Sequence, residues 1–444
     1  TIDQAIQHIA ERELDRSMAE TQADSGMVIV VEPFTGEVLA MAGRPTFNPN
    51  RYLAYPVARW RNRAVSDVFE PGSIFKIVTA AAGLQEKVVE PDEVLDCGHG
   101  RIEVAGITIN DHAIFDRLTF TQAVEKSSDV GMIRVGQRLG RENFARYVHA
   151  FGFGEPTGIE LPGESGGLFR PISRWSARSL PSLAFGQEIG VTGLQITMAA
   201  AAIANGGYLM KPILVKRVED DEGRVVRETK PRVVRRVLDP DTVDTLARIL
   251  RGVVIEGTGR RAAVPGYAVA GKTGTAQKID ASGRYSPTDN VASFVGFLPA
   301  SRPAIVILAS LDTPRGPADQ GGDVAAPLFA RVAEAALRVL AVPPDDPSRV
   351  LRAVVASPPE AYVPAAYRPQ APARPAVAPP VEEGGLMPDL RGRSAREAAI
   401  AAARRGLVVE LHGSGQVVAQ EPDPGTEIEP GATCVLTLGR GGEP

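Results

Sequence analysis

Apolar positions along the chain fall into two groups of short runs, separated by a long stretch of mixed character. Ile2, Ile6, Ile9, Leu14 and Met18 recur at three- to five-residue steps, the rhythm of a helix with one buried stripe. Thr1 and Gln4 in front of them have the spacing of a capping box. Met27–Val31 and Val38–Met41 flank Pro33-Phe34-Thr35-Gly36 and predict a strand hairpin. Three more strand-like runs come late, at Tyr267–Thr275, Val291–Phe297 and Ala304–Leu311, with turn residues between them. They predict an antiparallel meander, and Val324–Leu340 after it reads as a helix. Burial joins the two groups. Five strands form one sheet covered by the first and last helices, and the middle of the chain packs on the opposite face. The predicted fold class is therefore α/β: a five-stranded antiparallel sheet flanked by helices, with an inserted helical subdomain. The cleft between sheet edge and insert is the expected place for a site.

The pattern changes after residue 341. Pro343 to Pro380 holds eleven prolines among Ala and charged residues, almost without periodicity, and 342–384 reads as a semi-rigid linker. Beyond it, 385–440 reads as a small α+β module. Ser394 and Glu397 have capping-box spacing, Ala398–Arg405 is rich in helix formers, and Gly406 supplies the stop. Leu407–Leu411, Gln416–Gln420 and Thr433–Leu438 are β-like. One helix on three strands is about the smallest unit able to bury a face.

Composition narrows the function. With 49 Lys+Arg against 53 Asp+Glu the net charge is −4, without the basic excess of a nucleic-acid binder. Hydrophobic residues make up 44 % of the 444 positions, ample for a packed core. Cys97 and Cys434 are the two cysteines, which excludes a disulfide framework. The five histidines show no ligand spacing and read as structural or solvated, so no metal or organic cofactor is expected. No run reaches the ~18 apolar residues of a membrane span. The start at Thr1, without a leader-like segment, reads as that of an excised piece whose membrane anchor lay upstream.

Three short motifs carry the candidate chemistry. Ser73-Ile74-Phe75-Lys76 follows a Pro71-Gly72 turn and opens an apolar, helix-like run, so Ser73 sits at a helix start with Lys76 one turn on. A serine hydroxyl must lose its proton as it attacks, and an adjacent desolvated lysine can take it. Lys272-Thr273-Gly274-Thr275 ends a predicted strand. A cation beside hydroxyls suits a carboxylate, and Gly274 lets another chain lie against the strand. Ser127-Ser128-Asp129 lies between the two, at a helix–loop junction where a serine commonly acts as a cap. Ser-x-x-Lys, Ser-x-Asn/Asp and Lys-Thr-Gly in this order form the signature of penicillin-binding proteins and serine β-lactamases.

With these motifs in place, residues 1–341 resemble the class B penicillin-binding proteins, the peptidoglycan transpeptidases of cell division and related processes. The resemblance includes Asn48-Pro49-Asn50, Arg61–Asp67, Phe69–Ser73, Thr157–Glu164, Gly257-Thr258-Gly259 and Ala270–Ala276. The tail, with Met387–Leu390 and Gln420–Gly425, resembles a single PASTA module. The resemblance implies that Ser73 is acylated, that Lys76 is its base and that Ser127 passes a proton toward the leaving amine. It also implies that Asp129, Lys272, Thr273, Gly274 and Thr275 bind the substrate, with backbone N–H groups of Ser73 and Thr275 as the oxyanion hole. Implied partners are D-alanyl-D-alanine stem peptides of peptidoglycan, β-lactams and a membrane-embedded glycosyltransferase of the division machinery. No nucleic acid is implied, and the catalytic domain is placed outside a bacterial cell membrane. Division-type relatives usually have Asn where this chain has Asp129, whereas some elongation-type relatives carry Asp. The alternatives are a β-lactamase or D,D-carboxypeptidase, and a non-catalytic β-lactam or muropeptide receptor. Glu160 and Glu164 are the glutamates left open for a deacylating role.

Overall fold

The computed structural model describes residues 1–280, 282–346, 385–403, 405–413, 415–429 and 431–439. The chain divides into two compact units, Thr1–Ala356 and Ser357–Pro444. Residues 347–384, most of the predicted linker, lie outside the described residues. Residues 342–346 are tied into the first unit: Val342 O accepts from Tyr267 Oη at 2.7 Å, and Asp345 accepts from Ala268 N at 2.8 Å.

The first unit opens with helix α1 (Gln4–Thr21), which buries Ile6, Ile9, Ala10 and Leu14. Its cap differs from the expected Thr1–Gln4 box. Asp3 is the N-cap and accepts from Ala5 N and Ile6 N, while Thr1 Oγ1 donates to Val38 O at 2.8 Å. A carboxylate at this position satisfies two open backbone donors at once, which the threonine cannot reach from two residues upstream. Strands β1 (Ser25–Val31) and β2 (Val38–Arg44) form the hairpin. Strands β3 (Ala270–Ile279), β4 (Tyr285–Leu298) and β5 (Ile305–Asp312) form the meander. They join in one antiparallel sheet of order β3-β4-β5-β1-β2, with β3 at an edge.

Strand β1 shows how the sheet separates two cores. Val28 and Val30 face the core formed with α1 and the last helix, Gly321–Val339, whereas Met27, Ile29 and Val31 face the core of the insert. The period-2 alternation thus places apolar side chains on both faces, so the strand is buried throughout. The insert is built on helices α2 (Lys76–Gln85), α3 (Phe120–Glu125), α4 (Asp129–Ala150), α5 (Gly193–Ala204) and α6 (Pro240–Ile255). Every residue of α5 is buried.

The second unit packs a helix, Ala395–Ala403, near three strands: Val408–Gly413, Gln416–Glu421 and Thr433–Gly439. The last strand lies between the other two, parallel to the first and antiparallel to the second. Ser394 and Glu397 make the reciprocal cap bonds their spacing predicts. Met387, Leu390, Ala398, Leu407, Val417 and Leu436 share its core.

Candidate active site

Pro71 and Gly72 turn the chain into a short 3₁₀ segment, Gly72–Phe75, which continues into α2 from Lys76. Three residues per turn stack Ser73 and Lys76 on one face. Ser73 is half-buried at the cleft wall, and Lys76 behind it is fully buried. Gly72 has φ +52°, and a Cβ there would lie 2.9 Å from the Ala276 Cβ, so glycine lets the turn pass close to β3. A Cβ on Gly274 would likewise lie 3.1 Å from both Ile74 N and Pro71 O. These two glycines bring the serine turn and the edge strand into direct contact.

The middle motif enters from the insert. Ser127 follows the C-cap of α3 in the left-handed region, at φ +57°, a conformation uncommon for a residue with a side chain. The cap of α4 is its neighbour Ser128, whose Oγ accepts from Gly131 N at 2.9 Å, which leaves Ser127 free to face the cleft. Asp111 secures this junction, accepting from Ser128 Oγ at 2.7 Å and Val130 N at 3.0 Å.

Two lysines converge on Ser127. Lys76 Nζ donates to Ser127 O at 2.6 Å and to Ser127 Oγ at 3.1 Å, and it pairs with Asp129 Oδ1 at 2.6 Å. Three contacts match the three hydrogens of an ammonium. Lys272 Nζ reaches the same hydroxyl from β3, donating to Ser127 Oγ at 2.9 Å and to Thr273 O at 3.1 Å. Both lone pairs of Ser127 Oγ are therefore occupied by lysines, and its own O–H is the group left to donate into the cleft. Burial pushes Lys272 well below the ordinary lysine range; the charge of Lys76 adds to this and Asp129 opposes it.

The cleft encloses about 470 Å³, lined by Ser73, His112, Ser127, Asp129, Thr258, Arg260, Thr273, Gly274, Thr275 and Gln320 among others. Two threonine hydroxyls on β3 are fixed by neighbours: Thr273 Oγ1 lies 2.6 Å from Thr258 Oγ1, and Thr275 Oγ1 accepts from Gly321 N at 3.0 Å. The hydroxyls and the N-terminus of the last helix make this end of the cleft suited to an anion. His112 is exposed, as expected of a solvated histidine, yet it lines the cleft. Partial desolvation of the ring by the cleft walls and the Lys76 charge hold its imidazole below its ordinary value, against the opposing carboxylates of Asp111 and Asp129.

All eight residues singled out from the sequence thus meet around one cleft. The backbone of β3 at its free edge can accept an extended peptide as a further strand. Over residues 26–334 the chain matches the penicillin binding protein transpeptidase domain, and over 385–440 the PASTA domain. The chain belongs to the penicillin-binding protein transpeptidase family. Its relatives are of class B. Stage V sporulation protein D of Bacillus subtilis is 37 % identical over 348 residues, covering 78 % of this chain and 54 % of that protein. Peptidoglycan D,D-transpeptidase FtsI of Escherichia coli K12 is 34 % identical over 346 residues, covering 78 % and 56 %. The chain spans about half the length of these curated relatives. Among solved structures, penicillin-binding protein 3 of Mycobacterium tuberculosis complexed with aztreonam superposes with a TM-score of 0.73 at 36 % identity, covering 78 % of this chain and 80 % of that one. The transpeptidase domain of Burkholderia pseudomallei penicillin-binding protein 3 gives 0.69 at 32 % identity, covering 78 % and 97 %.

Glu160 and Glu164 are engaged elsewhere. Glu164 accepts from Thr157 N at 2.8 Å and Gly158 N at 3.0 Å, and Glu160 accepts from Leu214 N at 3.0 Å. Neither lines the cleft. Reading the residues missed Asp111 and Arg260 as parts of the site. An acid that caps a helix 18 residues away leaves no local pattern, and a surface arginine is compositionally ordinary.

Proposed function

We propose that the chain is the catalytic part of a peptidoglycan D,D-transpeptidase working through a serine acyl-enzyme. The observation that carries this reading is Ser127 Oγ held between Lys76 at 3.1 Å and Lys272 at 2.9 Å, in one cleft with Ser73. Ser73 Oγ attacks the carbonyl between the two terminal D-alanines of a stem peptide, and its proton passes to Lys76, which must first be neutral. The C–N bond breaks, and the leaving D-alanine takes its proton from the Ser127 hydroxyl, which Lys76 reprotonates with the proton it took from Ser73. Lys272, Thr273 and Thr275 hold the terminal carboxylate, Gly274 keeps β3 close, and Asp129 orients Lys76. Backbone N–H groups of Ser73 and Thr275 stabilise the oxyanion. An acceptor amine then attacks the acyl carbonyl, restoring the Ser73 hydroxyl and forming the cross-link.

The engagement of Glu160 and Glu164 in loop contacts favours transfer to an amine over rapid hydrolysis. The cellular setting in this reading is cell-wall synthesis at the septum, with an anchored protein, a catalytic domain outside the membrane and partners in the division machinery. No helix among the described residues is long and apolar enough to cross a membrane. The test is a donor peptide ending in D-alanyl-D-alanine supplied with a D-amino acid acceptor. Release of D-alanine with formation of the exchanged peptide is expected, and its loss in Ser73→Ala. A protein that binds penicillin yet exchanges no D-alanine would be a receptor instead.

A further inference from the structure

The hairpin of β3 and β4 extends past the end of the sheet. β5 begins to pair with β4 at Val291, so residues 277–279 and 285–290 form a two-stranded ribbon with a register shift between Gln277 and Ile279. A two-stranded ribbon is marginal by itself and needs support from what it touches. Packing supplies little of it. A cavity of about 860 Å³ is lined by Lys278, Ile279 and Tyr285 of the ribbon and by Phe69, Leu168 and Ile189 of the insert. Polar ties reach across instead. Lys278 Nζ donates to Asp312 Oδ1 at 2.7 Å, and Tyr285 Oη donates to Glu70 Oε2 at 3.0 Å.

Glu70 stands three residues before Ser73. Its other oxygen accepts from Glu188 N at 2.9 Å. The surrounding backbone is fastened to the same loop, with Gly72 N donating to Gly186 O at 3.0 Å and Phe69 N to Val191 O at 3.0 Å. The serine turn is therefore rigidly attached to the insert, and the Tyr285–Glu70 bond links that rigid body to the overhanging ribbon. The other charged groups lining this cavity are Asp67, Arg170 with its partner Glu188, and Lys278 with Asp312. Burial raises the Glu70 carboxyl above its ordinary range, opposed by its two hydrogen bonds.

We propose that Tyr285 and Glu70 are positioning residues: their bond holds the ribbon, and with it β3 at Thr275 and Ala276, at the separation from Ser73 that acyl transfer requires. The inference rests on the acyl-enzyme reading above. Neither side chain lines the cleft that holds Ser73, so both act through the backbone between them.

The test is the saturable acylation of the protein by benzylpenicillin, resolved into the non-covalent dissociation constant and the first-order acylation step. Tyr285→Phe removes one hydroxyl from a partly exposed ring. It is expected to slow the acylation step about tenfold, the worth of one ordinary hydrogen bond. The dissociation constant should change less than about twofold and Tm less than about 2 °C. Glu70→Ala should lose a similar factor, Glu70→Gln should recover most of it, and the double variant Glu70→Ala/Tyr285→Phe should be no slower than Glu70→Ala. If Glu70→Ala does not fold, Tyr285→Phe and Glu70→Gln decide alone. A wild-type acylation step in Tyr285→Phe, or losses that multiply in the double variant, would overturn the proposal while leaving the acyl-enzyme reading intact. Wild-type protein that takes no label at Ser73 would remove that reading itself, and the positioning role with it.

Discussion

Replacing Asp129 by asparagine changes one charge in a contact of 2.6 Å with fully buried Lys76. At an effective dielectric of about 20 the bare attraction at that distance is about 6 kcal/mol, an upper limit. Asp129 is 26 % exposed, so water screens part of it. Asparagine keeps an acceptor oxygen, so the substitution converts a charge-to-charge hydrogen bond into a charge-to-neutral one. Hydrogen bonds to a charged group are worth about 1.5 to 3 kcal/mol, so the lost charge accounts for only a part of that limit. The sign follows from the charge. Removing a carboxylate makes the ammonium easier to deprotonate, so the rising limb of acylation moves to lower pH. Asp129 also raises Lys272 against the stronger effects of burial and Lys76, so its loss lowers the alkaline limb too. The whole profile should slide toward acid with its shape kept. The assay is the second-order acylation rate by benzylpenicillin for both proteins across roughly pH 5–10, a window that reaches down from the ordinary lysine value. Superimposable profiles, or a shift toward alkaline pH, would refute the coupling.

Lys272 in the unmodified protein loses its charge below the ordinary lysine value, so acylation by carboxylate-bearing β-lactams should fall on the alkaline side well before pH 10.5; a rate that stays flat to that pH would contradict the role of its charge. Gly274→Ala places a Cβ 3.1 Å from Ile74 N and Pro71 O and must push β3 away from the serine turn. Acylation should drop more than about tenfold while stability falls by only about 1–2 kcal/mol, as read by urea unfolding. Removing residues 385–444 takes away a unit with its own core, so acylation rate and the melting temperature of the remaining unit should both hold, which calorimetry and penicillin labelling can check.

The sheet was legible because each of its five strands contains an apolar run, and two separated groups of strands had one economical way to bury both faces. What lay beyond those runs was not. Residues 277–290 alternate no apolar face, so the extension of β3 and β4 into a ribbon left no mark in the hydrophobic pattern. The three motifs were legible because each is local: Ser73 and Lys76 share one turn, Ser127 and Asp129 one junction, and Lys272 to Thr275 one strand end. Their supports are not local. Asp111 reaches α4 across 18 or more positions, Thr258 reaches Thr273 across 15, and Glu70 reaches Tyr285 across 215. The helix cap failed for a smaller reason: Asp3 and Thr1 are both good capping residues, and the choice between them depends on where the chain enters the helix. In the tail, spacing foretold three strands and a helix, whereas the parallel pairing of the first and last strands joins Val408 to Thr433 and onward, residues too far apart for any local pattern to record.

The central claim is that Ser73 forms a covalent acyl-enzyme that outlives the encounter with water. Intact-mass analysis of the protein with benzylpenicillin, followed over hours and mapped by proteolysis, tests it most directly. The account predicts one added equivalent on the peptide containing Ser73, persisting for at least many minutes, and none on Ser73→Ala. An adduct that survives in Ser73→Ala, or hydrolysis of penicillin at many turnovers per second, would contradict it.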